Sequence, residues 1–486
     1  MRNESTFDEW RARVGTFLAP AAFFALWFAP LPLSYQAHAL AAVLGLTIVL
    51  WVTEAIPMAA TALLGPALCV VFGIAKDKDV FASFGHPICM LFIGSFLLAQ
   101  AMQKHDLDRR LALNLLCVPG VAKTPGRVLA ALGALTAVLS MWMSNSAITA
   151  VMLPIALGVL HASPQLSETR GAKSGVVLMI AFAASIGGLA TPVGTPTNLV
   201  ALAALKEYLG RQISFFEWMY LAVPLSLVLM VGLFFILRPR GSHTFEGSDV
   251  LTEFRKQRDE LGPIRAGERN AAIAFFLALT LWMYPGLAEL IGGEGAYGSA
   301  WLKAHFPEET IGLITGLLLF VLPISTRERK FTIDWSDAKE IDWGTVLLFG
   351  GGLALGKAIF DTGLAKAIGD GVVATLDHPS QGTLIATAIV LSILLSEATS
   401  NTASASIMVP MMIAVAQSAG VNPVPVALAT CLACSFGFML PISTPPNALA
   451  YATGLVRLPV MVRSGIVLDC IGAITIWVMV YWLSPK

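Results

Sequence analysis

Residues 127–160 form a predominantly apolar run, broken near its middle by Ser144-Asn145-Ser146. As a single helix it would be about 51 Å long, against a bilayer hydrocarbon core of about 30 Å. Cut at the triplet, it gives two arms, each short for a comfortable crossing. A re-entrant hairpin with its polar tip near the middle of the membrane fits both lengths. Lipid cannot hydrogen-bond a backbone, so such a tip is tolerated only where it is buried in protein or lines a cavity. The pattern occurs twice. Residues 381–418 are broken at Ser400-Asn401-Thr402, and an offset of 256 carries Ser144, Asn145, Ala147 and Pro154 onto Ser400, Asn401, Ala403 and Pro410.

Each hairpin is followed by an apolar segment rich in helix breakers: Gly187 to Asn198 inside 175–205, and Ser435 to Asn447 inside 423–455. An offset of 249 matches Pro192, Thr195, Pro196 and Asn198 to Pro441, Thr444, Pro445 and Asn447. Such stretches predict unwound backbone between two half-helices, whose free carbonyls and amides can hold an ion and an anion. FIGSFLLAQAM (92–102) also matches FGGGLALGKAI (349–359), so the duplication includes plain helices.

The remaining spans fall at about 16–33, 37–56, 57–74, 86–103, 217–237, 271–291, 309–325, 342–360 and 464–483. With hairpins that return to their own side, the expected fold is an all-α polytopic membrane protein of eleven transmembrane helices plus two re-entrant hairpins. Asp106 to Leu116 is amphipathic and reads as an interfacial helix or a solvated linker helix. With the N-terminus inside, the cytoplasmic segments 1–15, 104–127, 161–174, 238–270, 326–340 and 456–463 hold 23 of the 31 Lys and Arg residues. That asymmetry puts the N-terminus in the cytoplasm and the C-terminus outside, and it makes the two repeats inverted.

Only 13% of residues are charged, about half the share of a soluble protein, and the formal net charge is zero. Nothing points to nucleic acid or to a polybasic lipid anchor. The first fifteen residues are polar and the next run is long enough to stay in the bilayer, so no cleaved leader is expected. Cys69, Cys89, Cys117, Cys431, Cys434 and Cys470 lie in or beside apolar segments, and the Cys431–Cys434 CxxC reads as two small packing residues. There is no phosphate-cradling Gly-Lys motif and no HExxH, which argues against an ATP-driven pump and a metalloenzyme.

Asparagine and serine or threonine supply both donors and acceptors. Their oxygens suit hard cations, and their hydrogens, beside helix N-termini, suit carboxylate oxygens. Two tips therefore suggest two cation sites and an anion with two negative ends. Ser140 precedes the first tip by one helical turn, and Ser396 and Thr399 hold comparable places in the second half. Among ionisable groups, Glu54, Asp361 and Asp469 are expected near span ends, reaching toward water. Lys357 also falls in an apolar span, and Glu397 is expected to brace the second hairpin or tune the cation site beside it.

These paired motifs, with GTPTN (194–198) and STPPN (443–447), resemble the divalent anion/sodium symporter family of dicarboxylate and citrate transporters. SFGFMLPISTPPNAL looks like that family's C-terminal signature, with Ala450 where valine is usual. The resemblance runs over roughly residues 15–485. It implies a non-enzymatic carrier in the inner (plasma) membrane of a bacterial cell, a homodimer that moves its substrate by an elevator motion. The divisions would be a cytoplasmic N-terminus (1–15), first-half scaffold helices (16–126), a first transport segment (127–237), a cytoplasmic linker (238–270), second-half scaffold helices (271–379) and a second transport segment (380–486). Carried over, one sodium site would use Ser140, Ser144, Asn145 and the Gly194 backbone, and the other Ser396, Thr399, Asn401 and the Ser443 backbone. The dicarboxylate would touch Ser144, Asn145, Ser146, Ser400, Asn401, Thr402, Thr195, Thr444 and Pro445. Ser146 departs from the family's usual threonine and Thr197 from a second proline; the first keeps the hydroxyl and leaves pocket size open. Sodium ions would be co-transported, with no organic cofactor. The expectation is sodium-coupled symport of succinate, fumarate or malate, the alternative a sodium-independent exchanger of the same architecture. Sulfate is a weaker reading because a tetrahedral anion would not need two separated tips. A channel would show conductance without saturable anion uptake, and a membrane-embedded hydrolase would need a base near Ser144 or Ser400, where the sequence supplies none except Glu397.

Overall fold

The computed structural model describes residues 4–118, 120–121, 124–162, 171–238, 248–293, 296, 298–376 and 379–483. The first half comprises α1 (Glu4–Phe28), α2 (Tyr35–Thr53), α3 (Met58–Val71), α4 (Asp77–Phe81), α5 (Pro87–Lys104), α6 (Leu107–Leu116), α7 (Pro125–Ser140), α8 (Asn145–Ala162), α9 (Ala172–Leu189), α10 (Pro196–Leu209) and α11 (Phe215–Leu237). A linker helix, α12 (Ser248–Glu260), follows. The second half comprises α13 (Ala266–Gly292), α14 (Ser299–His305), α15 (Glu308–Leu318), α16 (Trp335–Lys339), α17 (Trp343–Asp361), α18 (Leu364–Leu376), α19 (Gln381–Ala398), α20 (Asn401–Ser418), α21 (Pro423–Cys434), α22 (Pro445–Ala452) and α23 (Leu458–Leu483).

Among the described residues, nine helical stretches are long and apolar enough to cross a membrane. Large apolar side chains such as Phe17, Phe235, Leu394 and Ile474 lie open on the outer faces. In a bilayer those faces meet hydrocarbon, so their exposure costs nothing there. One arm of each hairpin, α8 and α19, is among the nine, so arm length alone does not exclude a crossing. The hairpins are recognisable instead by their turns: Met141–Ser144 joins α7 to α8, and Thr399–Ser400 joins α19 to α20.

Three expectations need correction. The first helix starts at Glu4 and ends at Phe28, not at 16–33, because its polar N-terminal turns continue the helical register. The span placed at 309–325 is helical only over Glu308–Leu318; turns follow, and Pro323 opens a two-stranded hairpin of Pro323–Ser325 and Lys330–Phe331. The fold is thus helical apart from this small antiparallel pair. Asp469 does not sit at a span end: α23 begins at Leu458, leaving Asp469 in mid-helix and buried.

The two halves interlock through matched close approaches. A Cβ on Gly94 of α5 would run into the Gly312 backbone of α15, and a Cβ on Gly351 of α17 would run into the Ala62 backbone of α3. Gly94 and Gly351 are equivalent in the repeat. Small residues are what allow membrane helices to pack backbone to backbone where the hydrophobic effect gives no drive. The hairpins cross over as well: α8 packs on α22 of the other half, and α20 packs on α10.

Helix α6 is held by protein rather than lying free. The Arg110 guanidinium donates to both Glu268 carboxylate oxygens at 2.8 and 3.0 Å, and to the Gly262 and Leu261 carbonyls. Its neighbour Asp108 is buried, with one carboxyl oxygen accepting from the Arg109 amide at 2.7 Å and the other unpartnered among the described residues. Burial pushes the Asp108 carboxyl from 3.8 up to about 6. A carboxyl whose pKa is raised by folding adds stability below its unfolded pKa, and that stability is lost as pH rises through the folded value. Thermal unfolding of the purified protein should therefore show a midpoint that declines between about pH 4 and pH 6. Asp108→Asn should flatten that decline and raise the midpoint near neutral pH; an unchanged profile would contradict this account.

Candidate functional site

Each hairpin tip is built the same way. In the first, the Ser140 hydroxyl donates to the Asn145 side-chain carbonyl at 2.8 Å. In the second, the Ser396 hydroxyl donates to that of Asn401, also at 2.8 Å. Both serines are fully buried and both asparagines half-buried. The bond spends one lone pair of the asparagine oxygen and leaves the other available. The serine oxygen keeps its own lone pairs, so two hard oxygens, the kind that suit hard cations, stand side by side.

Ser144 and Ser400 cap the second arms. Their hydroxyl oxygens accept from the Ala147 amide at 3.3 Å and the Ala403 amide at 3.5 Å, which leaves each hydroxyl hydrogen free to donate elsewhere. Ser146 and Thr402 occupy the first turn after each cap and are half-buried. Both tips thus present hydroxyls at a helix N-terminus, where partial positive charge favours an anion.

The segments after each hairpin meet the tips, but the first stays helical through Leu189, so its break is shorter than the Gly187–Asn198 stretch expected. Asn145 lies so close to Gly188, in the last turn of α9, that a Cβ there would sit 2.5 Å from the Asn145 side-chain oxygen. Gly437, the counterpart of Gly188, faces Asn401 in the same manner at 3.2 Å. A Cβ on Gly194 would stand 2.6 Å from the Gly188 carbonyl oxygen and 3.0 Å from that of Met141, so two carbonyls converge on this backbone. The equivalent carbonyls of Met141 and Glu397 each accept a hydroxyl, from Thr191 and from Ser443 respectively. Asn401 also donates to the Ser435 carbonyl at 3.3 Å, and the single Ser396 hydroxyl hydrogen is shared between the Asn401 carbonyl and that of Cys434, 2.6 Å away, a competitor the first tip lacks among the described residues.

Two asparagines outside the predicted set pin these stretches. Asn198 donates to the Gly188 and Thr191 carbonyls at 2.9 and 2.8 Å, and Asn447 donates to those of Gly437 and Leu440 at 2.8 and 3.0 Å. The residue pairs are related by the same offset of 249. Thr195 and Thr444 begin the half-helices that follow, with nearly equal backbone angles (φ −144 and −143) and a proline at the next position. Thr195 and Thr444 are buried, whereas Pro445 is exposed.

Glu397 does brace the second hairpin. Its carboxylate accepts from the Met439 amide at 2.8 Å and the Leu440 amide at 3.2 Å, and shares the Ser443 hydroxyl hydrogen, 2.7 Å away, with its own backbone carbonyl. The Asp469 carboxyl lies against it, and neither acid has an ion-pair partner among the described residues. The Ser443 side chain is therefore committed to Glu397, leaving its backbone for any ion. Thr399 departs from the expected grouping: its hydroxyl donates to the Trp51 carbonyl of α2 at 3.3 Å. Of the other charged groups, Glu54 pairs with Arg11 at 3.0 Å, Lys357 with Glu207 at 3.4 Å, and Asp361 is exposed. Cys431 and Cys434 are free, buried thiols, and the described residues contain no His, Cys, Asp and Glu cluster fit for a transition metal.

The two sites are joined where the broken segments cross. Phe182 of α9 meets Phe438 edge to face at 5.1 Å, and the Cys431 thiol donates to the Thr197 carbonyl at 3.3 Å. At the first tip, Trp142 stacks on Phe215, which stacks in turn on Trp282 of α13.

A membrane fold built on a duplicated helical hairpin, with a polar tip set against an unwound segment in each half, defines a class of membrane carriers. The chain belongs to the family described as the sodium:sulfate symporter transmembrane region, whose pattern matches residues 11–484. It is 32% identical to the sodium-dependent dicarboxylate transporter SdcS of Staphylococcus saprophyticus, over 90% of this chain and 84% of that protein. Identity to SdcS of Staphylococcus aureus is also 32%, over 97% of this chain and 91% of that one. Two solved transporters share the fold at low identity. The YdaH transporter of Alcanivorax borkumensis gives a TM-score of 0.57 at 15% identity, covering 99% of each chain. MtrF of Neisseria gonorrhoeae gives 0.56 at 11%, covering 97% of each.

The Gly188 contact gives a direct test of the first tip. Gly188→Ala should displace the Asn145 amide at an overpacking cost of about 1–3 kcal/mol. Sodium affinity, read by titrating sodium against protein fluorescence or thermal stability, should fall roughly tenfold or more. Unaltered affinity would remove Asn145 from the cation site.

Proposed function

We propose that this protein is a secondary active transporter that couples sodium ions to the uptake of C4-dicarboxylates such as succinate, fumarate and malate. The observation that carries the reading is the duplication of one constellation: a serine hydroxyl on an asparagine carbonyl, beside converging backbone carbonyls, at the start of a helix. Two copies offer two cation sites, built from Ser140, Ser144, Asn145 and the Gly194 backbone, and from Ser396, Asn401 and the Ser443 backbone. Thr399 joins the second set only if its hydroxyl leaves Trp51.

Between the tips, the hydroxyls of Ser144, Ser146, Ser400 and Thr402, the amides of Asn145 and Asn401, and the Thr195, Thr444 and Pro445 helix starts receive a dianion. No Lys or Arg lies at either tip, so the anion's charge is met by helix ends and by the bound cations. Coupling follows from that arrangement, because the anion binds weakly until sodium has bound. The relatives' designation as sodium-dependent dicarboxylate transporters supports the same assignment.

The wider proposal is a homodimer in the cell membrane of a bacterium, with a cytoplasmic N-terminus and an outside C-terminus. It has eleven crossings and two re-entrant hairpins. Segments 127–237 and 380–486 form a mobile body that carries the site past the scaffold helices of 16–126 and 271–379.

Succinate uptake into proteoliposomes tests this. Replacing sodium with choline should abolish uptake; full uptake in choline would favour exchange instead. Asn145→Ala and Asn401→Ala should each lower uptake at least about tenfold while the protein remains folded, since each removes a bond to a charged group of about 1.5–3 kcal/mol. Near-normal uptake by both would overturn the site. Thr402→Val keeps the shape and removes the hydroxyl, so it should weaken succinate binding by roughly tenfold and sodium binding much less. Equal loss of both would refute the division of roles.

A further inference from the structure

A cavity of about 600 Å³, lined by none of the tip residues, lies between α1, α2 and their connecting loop on one side and α17, α18 and the second hairpin arm α20 on the other. Ser406 supplies the one polar side-chain group on its apolar walls apart from the Trp51 ring nitrogen, and both of those groups are satisfied within the protein. The Ser406 hydroxyl donates to the Thr402 carbonyl at 2.9 Å, and the Trp51 ring donates to the Met58 carbonyl at 3.3 Å.

Its shape follows from its lining. The wall on α2 runs from Ala41 to Trp51, a rise of about 15 Å, so the space is longer than it is wide. At the loop it is bordered by Leu31 and Pro32, both exposed, beside the exposed Phe28 and Tyr35. Native interiors hold few voids larger than a water molecule. Water in this one would find almost no partners, because a buried water needs two to four polar contacts. The medium that surrounds a membrane-spanning chain is hydrocarbon.

We propose that this cavity is a binding site for one acyl chain of a bilayer lipid, entering past Leu31 and Pro32 and ending against Trp51. The chain packs on Ile407 and Met411 of the arm that begins at the Ser400-Asn401-Thr402 tip, so bilayer lipid lies directly against that arm. Trp51 is also the residue whose carbonyl holds Thr399, which ties the closed end of the site to the hairpin turn.

The test uses the full-length protein in vesicles of phosphatidylcholine carrying bromine on its acyl chains, with unbrominated vesicles as reference. The emission contributed by Trp51 is the difference between the parent and Trp51→Phe. The proposal expects that difference to be largely lost in brominated vesicles and regained in Ala41→Phe, which fills the cavity. Ala367→Phe, from the opposite wall, serves if Ala41→Phe fails to fold. A Trp51 component that is equally bright in both vesicles overturns the proposal. So does unquenched Trp51 emission together with a change of protomer number in the filled variant, which would assign the space to a second copy of the chain. Neither readout depends on transport, so the site stands or falls apart from the functional reading.

Discussion

The hydrogen bond from a buried serine hydroxyl to an asparagine carbonyl, made once in each half, is the interaction on which the site depends. In water such a bond adds little, because both groups would be solvated anyway. Inside a membrane protein the alternative is an unsatisfied polar group, so the pair fixes the asparagine's orientation firmly. That orientation leaves acceptor capacity facing the same side as the neighbouring carbonyls. It also places the asparagine at the first turn of an arm whose N-terminal amides and cap hydroxyl suit an anion. Cation and anion chemistry are thereby held in register by one contact.

The surrounding structure protects this geometry from both directions. Gly188, in the last turn of α9, and Gly437, in the unwound stretch of the second half, allow these segments to approach the asparagines, and Asn198 and Asn447 hold the segments by their carbonyls. The halves differ in their outer support. In the second, Glu397 gathers two amides and the Ser443 hydroxyl around one carboxylate, while the first half has Met141 at the equivalent position and relies on Thr191. The two copies are alike at the paired serine and asparagine oxygens and differ in what supports them, so the two proposed cation sites would not be identical.

Much of this was legible in the sequence because a polar triplet inside a long apolar run has few stable placements. The hairpins and the broken segments followed from spacing and duplication, and the grouping of Ser140 with Asn145 and of Ser396 with Asn401 from the family resemblance; that each serine bonds its asparagine did not. Helix ends were less legible: polar turns such as Glu4 to Arg13 continue a helix without leaving an apolar signal, and the helix from Glu308 ended at Leu318 inside a run that composition alone extended. Asp469 was misplaced for the same reason, since the start of α23 at Leu458 is set by packing. The roles of Gly188, Gly437, Asn198 and Asn447 were present as offset-matched letters, but only contact distances reveal what they do. Thr399 shows the limit of position-by-position transfer, because its hydroxyl has a partner on α2 that no motif announces.

The most direct measurement is an experimental structure of the protein with sodium and succinate, at a resolution that separates individual ligands. The account predicts one cation beside Ser140 and Asn145, a second beside Ser396 and Asn401, and a single succinate whose two carboxylates face the two tips. Succinate held elsewhere, or tips that remain without cations while succinate is bound, would contradict it.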